Sequence, residues 1–544
     1  MSALTLYFHT VRHLRPIQIA ARAWFRLHRP LPDLRAAPAT RPRSGRYSPP
    51  IAAAPSLLGP HMIRLLNVER SCAVASDWRP QDATKLWTYH LHYFDDLNAR
   101  DADARVLWHE NLLTRWAVEN PPGQGEGWEP YPVSRRIVNC VKWAARGNTL
   151  PASFRKSLAV QTRWLKQRLE YHILGNHLFA NAKALVHAGL YFDGPEAEHW
   201  WVRGMHLLDR ELHEQILPDG GHVELSTMYQ AGILEDLLDL VNLLRAYGRV
   251  APRSWIAAIE RMREWLKVMS HPDGEIAFFN DAAFGATPVS AELEAYAGRL
   301  DLPAAPCQSP PVAILESSGY VRVSAPPAYL ICDCASVAAD HLPGHAHADA
   351  LSFELSLGAH RVLVNSGTSQ YGTGAERQRQ RGTAAHNTVV VDGEDSSEVW
   401  AGFRVARRAR VKRRPIKTTP NGVTIDASHD GYRRLPGRNE HRRCFTVDQR
   451  ALRIEDVISG PFTNAAAYFH VHPEVDARIG GAAEVLLSRG DGLALRLVFE
   501  GASALEVRSG TWHPRFGVVV PNRCIVASFA GAKLTTTMIW APSP

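Results

Sequence analysis

The chain has 544 residues, 45% hydrophobic and 21% charged, with a formal net charge of +8 and a pI near 9.1. That length exceeds what one core needs, so two or more domains are expected. No apolar run reaches a membrane span, and the basic balance points to a polyanionic partner.

Residues 1–30 are basic and amphipathic, with Arg12, Arg15, Arg22, Arg26 and Arg29 among Leu, Ile, Ala and Trp. They lack an apolar core followed by a small-residue cleavage site, so a signal peptide is not expected. This favours the cytoplasm, with the periplasm as the alternative. A surface helix or a peripheral membrane contact fits the same residues. To about residue 60 the chain is rich in Pro, Arg and Ala, as in a wrapping arm.

Residues 61–305 form the second segment. Apolar spacing predicts helices over 106–118, 134–145, 154–171, 177–192, 196–216, 230–247 and 255–268, joined by Pro- and Gly-bearing loops. Residues 306–544 form the third. Short runs rich in β-branched residues predict strands at 320–323, 329–331, 361–364, 387–391, 423–426, 452–458, 493–499 and 534–539. Helices first and strands second is an α+β multidomain layout.

The cysteines at 72, 140, 307, 332, 334, 444 and 524 are odd in number and form no CxxC pair. They suggest neither a disulfide framework nor a zinc ribbon, and a reducing compartment fits. Arginines cluster at 404–414 and 433–443 without a helix-turn-helix, RRM or zinc-finger pattern, so nucleic acid is not expected. An acidic polysaccharide attracts the same arginines, and a solvated face accounts for them equally well.

Three constellations carry candidate chemistry. In Gly175-Asn176-His177-Leu178, Gly175 is placed to end one helix and Asn176 to cap the next, a good receptor for a carboxylate. A plain cap beside a packed ring is the alternative. In the loop Leu217–Tyr229, Thr227 and Gln230 match a capping box, which sets Tyr229 in a first helical turn where the macrodipole favours phenolate. A Tyr packed beside the loop is the alternative. In Gly344-His345-Ala346-His347-Ala348-Asp349-Ala350-Leu351-Ser352-Phe353, strand period puts His345, His347 and Asp349 on one face ahead of Leu351 and Phe353. His347 and His386 with an oxygen donor suit zinc or a related divalent ion, and His345 stays available for proton transfer. Two histidines on one strand are otherwise a hydrogen-bonded pair.

These stretches, with Phe279-Asn280-Asp281 and Thr383-Ala384-Ala385-His386-Asn387-Thr388-Val389, resemble the heparinase II/III family of polysaccharide lyases from about residue 85 onward. The resemblance implies an N-terminal (α/α) toroid followed by a C-terminal antiparallel β-sandwich. It implies β-elimination at a uronic acid, with Asn176 and His177 neutralising the carboxylate. Tyr229 would be base and acid on one sugar face, and His345 the base for the opposite C5 epimer. Arg377 and Arg381, with Asn280 and Asp281, would hold substrate. A structural zinc or manganese ion would fall on His347, Asn365 and His386. Asn365 stands where relatives often carry Asp, and Ala180 where they often carry Glu. Glycosaminoglycans such as heparan sulfate, chondroitin sulfate or hyaluronan are the first expected substrates, then alginate or a bacterial exopolysaccharide. The rival readings are a metal-dependent oxygenase built on His347, Asp349 and His386, and a glycan-binding protein without turnover.

Overall fold

The computed structural model describes residues 3–304, 310–420 and 422–540. Two helices, α1 (Ala3–Val11) and α2 (Pro16–Leu27), lead into an extended arm that lies on the helical half. In that arm the Ser48 backbone N–H donates to the Asn242 side chain at 2.9 Å.

The helical half comprises α3 (Lys85–Leu91), α4 (Val106–Glu119), α5 (Pro130–Ala145), α6 (Ala152–Gln167), α7 (Gly175–Tyr191), α8 (Pro195–Gln215), α9 (Thr227–Ala246), α10 (Arg253–Val268) and α11 (Ser290–Arg299). α6 and α10 alternate charge and apolar residues at helix spacing and bury one stripe. α7 and α9 are buried nearly all round, because apolar residues occupy almost every face. α7 and α8 pack backbone to backbone at Gly189, where a Cβ would sit 2.5 Å from the Trp201 nitrogen.

The C-terminal half is built on two antiparallel nine-stranded sheets, each with eight strands in line and a ninth beside them, Val389–Val391 on Ala465–Val471 in the first and Lys417–Thr419 on Gly422–His429 in the second. One runs Ala504–Trp512, Val520–Phe529, Ala465–Val471, His360–Leu363, Phe353–Leu357, Ala328–Asp333, Tyr320–Ala325, Val312–Leu315. The other runs Val411–Arg413, Gly422–His429, Glu440–Val447, Ala451–Ser459, Lys533–Trp540, Ala494–Glu500, Glu484–Ser488, Asp476–Gly481. Gly422–His429 and Glu440–Val447 bury every second residue, as strands with one wet face do. Phe353 meets Phe445 at 5.6 Å and Phe469 meets Phe499 at 5.7 Å, closing the sandwich from both sheets.

Phe353–Leu357 is buried on both faces. Its second face meets the helical half, where the His271 ring lies 3.0 Å from Glu354 Oε2 and 2.8 Å from Ser356 Oγ. The fold is therefore the expected helical toroid followed by an antiparallel sandwich, and the seam between them combines these polar contacts with an apolar cluster in which Leu225, Trp265, Met269 and Phe279 meet Leu315, Tyr320 and Ile331.

Three local readings are corrected. Residues 344–352 form no strand; the strand starts at Phe353, because Leu351 takes a left-handed φ of 60° and breaks the pleat. The α9 cap is Ser226, whose Oγ accepts from the Tyr229 N–H at 3.2 Å, while Thr227 donates to the Ala277 carbonyl. Asn176 lies inside α7; Leu174, at φ 67°, holds the cap position. The described cysteines are all free, and Cys307 lies outside the described residues.

Candidate active site

Four turns meet where the two halves join, and each carries a non-glycine residue in the left-handed region: Leu174, Leu225, Asn280 and Leu351. Such residues cost on the order of 1 kcal/mol or more each and persist where packing over-determines them. Leu174 leads into α7, Leu225 into α9, Asn280 into Asp281, and Leu351 out of the histidine segment.

Asp281 is the hub. His345 Nδ1 lies 2.9 Å from its Oδ2 and His347 Nε2 lies 2.9 Å from its Oδ1. The Arg377 guanidinium binds both oxygens, with Nη2 at 2.7 Å from Oδ2. Burial pushes the Asp281 carboxyl up, but Arg377, His345 and His347 together hold it well below the usual range. Asp281 Oδ2 anchors His345 through Nδ1, and the other ring nitrogen, Nε2, points to the Glu224 carboxylate at 3.5 Å.

The Tyr229 ring lies on the His345 ring, centroids 4.0 Å apart. Its hydroxyl is 3.1 Å from the Tyr371 hydroxyl. Burial, then the neighbouring Tyr371, pushes the Tyr229 phenol well above its usual value. Desolvation of the ring works against the α9 macrodipole, which favours phenolate. Phe403 closes the wall, 5.9 Å from His345 and 5.1 Å from Tyr371.

At the start of α7, the Asn176 N–H donates to Glu224 Oε1 at 3.2 Å, and Glu224 Oε2 is 3.5 Å from His345 Nε2. A carboxylate of the chain itself therefore sits on the α7 N-terminus. His177 is one residue on, with Nδ1 3.0 Å from Glu170 Oε1 and its ring 4.5 Å from Tyr131. Burial pushes His177 down, but Glu170 more than compensates and its pKa is raised. About a quarter of the His177 side chain is exposed.

Asn176, His177, Tyr229 and His345 are thus brought around one cleft. The four expected substrate contacts are not. Arg377 and Arg381 have no exposed surface. Arg377 is spent on Asp281 and on the Gly402 carbonyl, and Arg381 on the carbonyls of Ala346, Trp400 and Arg404. Asn280 donates to the Leu225 carbonyl and accepts from the His347 N–H, and Asp281 is saturated as described. These four build the cleft from behind.

The metal donors also differ from the expected set. His347 Nδ1 and His386 Nε2 face each other at 3.2 Å, and Asp349 completes a group whose ligand atoms lie within 4.8 Å of one another. Two nitrogens each ~2.1 Å from a tetrahedral ion stand roughly 3.4 Å apart, so this spacing fits zinc. Burial holds His347 down to about 4 and His386 to about 3, which leaves both rings neutral, and their facing nitrogens share one hydrogen bond. Asn365 is not a donor here: its amide donates to the Phe278 carbonyl at 2.8 Å and accepts from the Asn387 N–H at 3.1 Å. All three donors are at most 4% exposed, so an ion there is sealed from the cleft and would be structural.

Sequence reasoning missed Glu224, Tyr371, Phe403 and Glu170. Glu224 stood inside the quoted loop, but nothing in its spacing aimed it at a helix start. Tyr371 and Phe403 lie in Gly-rich loops, where periodicity gives no direction.

Two family models match the chain: heparinase II/III N-terminus over residues 110–298, and heparinase II/III-like, C-terminal, over residues 308–541. Among curated proteins, FtsZ-localized protein C of Caulobacter vibrioides is 28% identical over 431 residues, which is 74% of this chain and 72% of that protein. A heparin-sulfate lyase of Bacteroides thetaiotaomicron is 25% identical over 250 residues, 40% of this chain and 35% of that protein. Among solved structures, heparinase III has a similar fold at a TM-score of 0.69 and 17% identity, covering 86% of this chain and 79% of that one. A heparan sulfate lyase mutant from Pedobacter heparinus gives 0.58 at 17% identity, covering 89% and 81%.

Proposed function

The chain belongs to the heparinase II/III-like family, and from that premise we propose that it is a polysaccharide lyase that cleaves uronate-containing glycans, glycosaminoglycans first, by β-elimination. The observation that carries this reading is the stack of Tyr229 on His345, 4.0 Å apart, beside the start of α7. Relatives named heparin-sulfate lyase support the substrate class.

In the reaction a base takes the C5 proton, the C–H electron pair becomes the C4=C5 double bond, and the C4–O4 bond breaks. The departing O4 takes a proton, so one base and one acid are required. His345 Nε2, with Asp281 behind it, suits the base. Tyr229, held as a phenol, suits the acid that protonates O4. The C5 proton is weakly acidic unless the uronate charge is offset as negative charge moves onto the carboxylate. His177, whose pKa Glu170 raises, and the α7 N–H groups would supply that offset, with Glu224 yielding its place on Asn176 to the substrate. A metal on His347, Asp349 and His386 would brace the histidine segment; no step runs through it.

The test is incubation with heparan sulfate, chondroitin sulfate, hyaluronan and alginate, following the ultraviolet absorbance of the unsaturated uronate. Absorbance on at least one glycan, lost in Tyr229→Phe, supports the reading; none on any removes it.

A second reading is glycan binding without turnover, since one relative, FtsZ-localized protein C, is named for a location and not for an activity. The match to FtsZ-localized protein C spans more of both chains than the match to the lyase of Bacteroides thetaiotaomicron. A glycan-binding protein without turnover would keep its glycan affinity in Tyr229→Phe while showing no absorbance change in the unaltered chain.

A further inference from the structure

The two N-terminal helices invert the usual amphipathic arrangement. They are attached through polar and ring contacts, with Tyr7 edge-on to Trp400 at 4.8 Å and Phe25 against His172 at 4.2 Å, and turn most of their other apolar residues outward. The Trp400 indole donates to Thr10 Oγ1 at 3.1 Å, Gln18 donates to the His341 carbonyl at 3.1 Å, and Arg168 donates to the Phe25 and His28 carbonyls. The one buried residue of α2 is Gln18, a polar one, and α1 has none. Leu4 is 81% exposed, Phe8 65%, Trp24 61%, Leu27 82% and, just past α2, Leu31 87%.

On α2 the outward residues Ile17, Ala20, Trp24 and Leu27 recur at three- and four-residue spacing and fall on one stripe. A contiguous run of exposed large apolar side chains marks an interaction surface. Its charge names the partner. Residues 3–32 hold five arginines and no carboxylate; the first acidic residue is Asp33. A sulfated glycan would engage the arginines and gain nothing from Leu4, Phe8, Trp24 and Leu27. An anionic lipid surface engages both, through phosphate at the arginines and acyl chains at the apolar side chains.

We infer that α1 and α2 dock in the headgroup plane of a bilayer containing anionic phospholipid. Among the described residues no helix is long and apolar enough to cross a membrane, and the proposed contact is peripheral. Gln18 also touches the Ile173 carbonyl, two residues before α7, while His341 lies just ahead of His345. The docked helices are therefore fastened to both halves of the cleft, and the bilayer fixes where the cleft faces.

The full chain is sedimented with vesicles of phosphatidylglycerol and phosphatidylcholine, and with vesicles of phosphatidylcholine alone. Binding to the mixed vesicles is expected to exceed that to the neutral ones by about tenfold or more and to weaken with added salt. Trp24→Ser with Leu27→Ser, and separately Arg26→Glu with Arg29→Glu, are each expected to lower it about tenfold. Melting temperature and any turnover of soluble glycan should not change in either, since these side chains are exposed and outside the cleft. Three results overturn the proposal: no sedimentation with anionic vesicles, equal binding to neutral ones, or full binding in both variants. A dimer in solution that the Trp24 and Leu27 changes dissolve, with no vesicle binding, also overturns it and assigns the face to a second copy of the chain.

Discussion

Tyr229 on α9 and His345 on the segment before the sandwich stack with ring centroids 4.0 Å apart and planes tilted by 32°. One residue comes from each half of the chain, so the pair exists only when the halves are docked. Replacing Tyr229 by Phe removes the acid and one hydrogen bond to Tyr371 and leaves the ring in place. Turnover should fall about 10²–10⁴-fold, the range of a lost general acid, with roughly 1 kcal/mol or less of stability. Initial rates of uronate formation and urea unfolding check both. A variant with unaltered turnover removes Tyr229 from the chemistry.

Asp281 and His345 should separate by phenotype. In Asp281→Asn, Arg377 stays buried without its counter-charge, which costs about 3–5 kcal/mol. In His345→Ala, Asp281 keeps Arg377 and His347, so most stability survives while turnover is lost. If His345 serves one C5 epimer and another base the other, glucuronate- and iduronate-containing substrates should suffer unequally. Equal loss on both assigns His345 to both epimers.

The helical half was legible because its signal is local: helix spacing survives without tertiary contacts, and helices were read at every core position from α4 to α10. The site was legible in its residue types and less so in its geometry. His345, His347 and Asp349 do converge, yet on an irregular run rather than a strand, since the positive φ at Leu351 has no signature in a leucine. Arg377 and Arg381 were read as free cations because charge is visible in a sequence and burial is not. Asp281 and a ring of carbonyls claim them only after folding. Glu224 was missed for the converse reason: a helix N-terminus from another segment selects it, and that meeting is purely tertiary.

The metal donors make a sharp distinction. Purified protein should carry about one divalent ion per chain, and removing it with a chelator should lower the melting temperature. His386→Ala and Asp349→Ala should each lose the ion. Asn365→Ala should keep it, although its lost bonds to Phe278 and Asn387 lower stability. Elemental analysis of the three variants decides it: ion loss in Asn365→Ala with retention in Asp349→Ala would restore the donor set read from the sequence.

Acid should loosen the sandwich through Asp456. This buried carboxylate accepts from Arg443 at 2.7 and 3.0 Å and lies 2.7 Å from His441 Nε2. Arg443 in turn donates to the carbonyls of Leu351 and Asn387, the residues flanking the histidine segment and His386. Burial pushes the Asp456 carboxyl up, but Arg443 and His441 outweigh it and hold it at about 2. Its folded value therefore lies below its unfolded one, near 3.8. The group contributes about 2 kcal/mol that is fully present above pH ~4 and is lost as pH falls through about 2. Asp456→Asn strands Arg443 in the interior and should cost about 3–5 kcal/mol at neutral pH. The gap between variant and unaltered chain should then narrow as pH drops towards roughly 2, because protonation makes the two side chains alike. Urea midpoints measured across that range test this; a gap that stays constant would mean that Asp456 does not titrate in the folded sandwich.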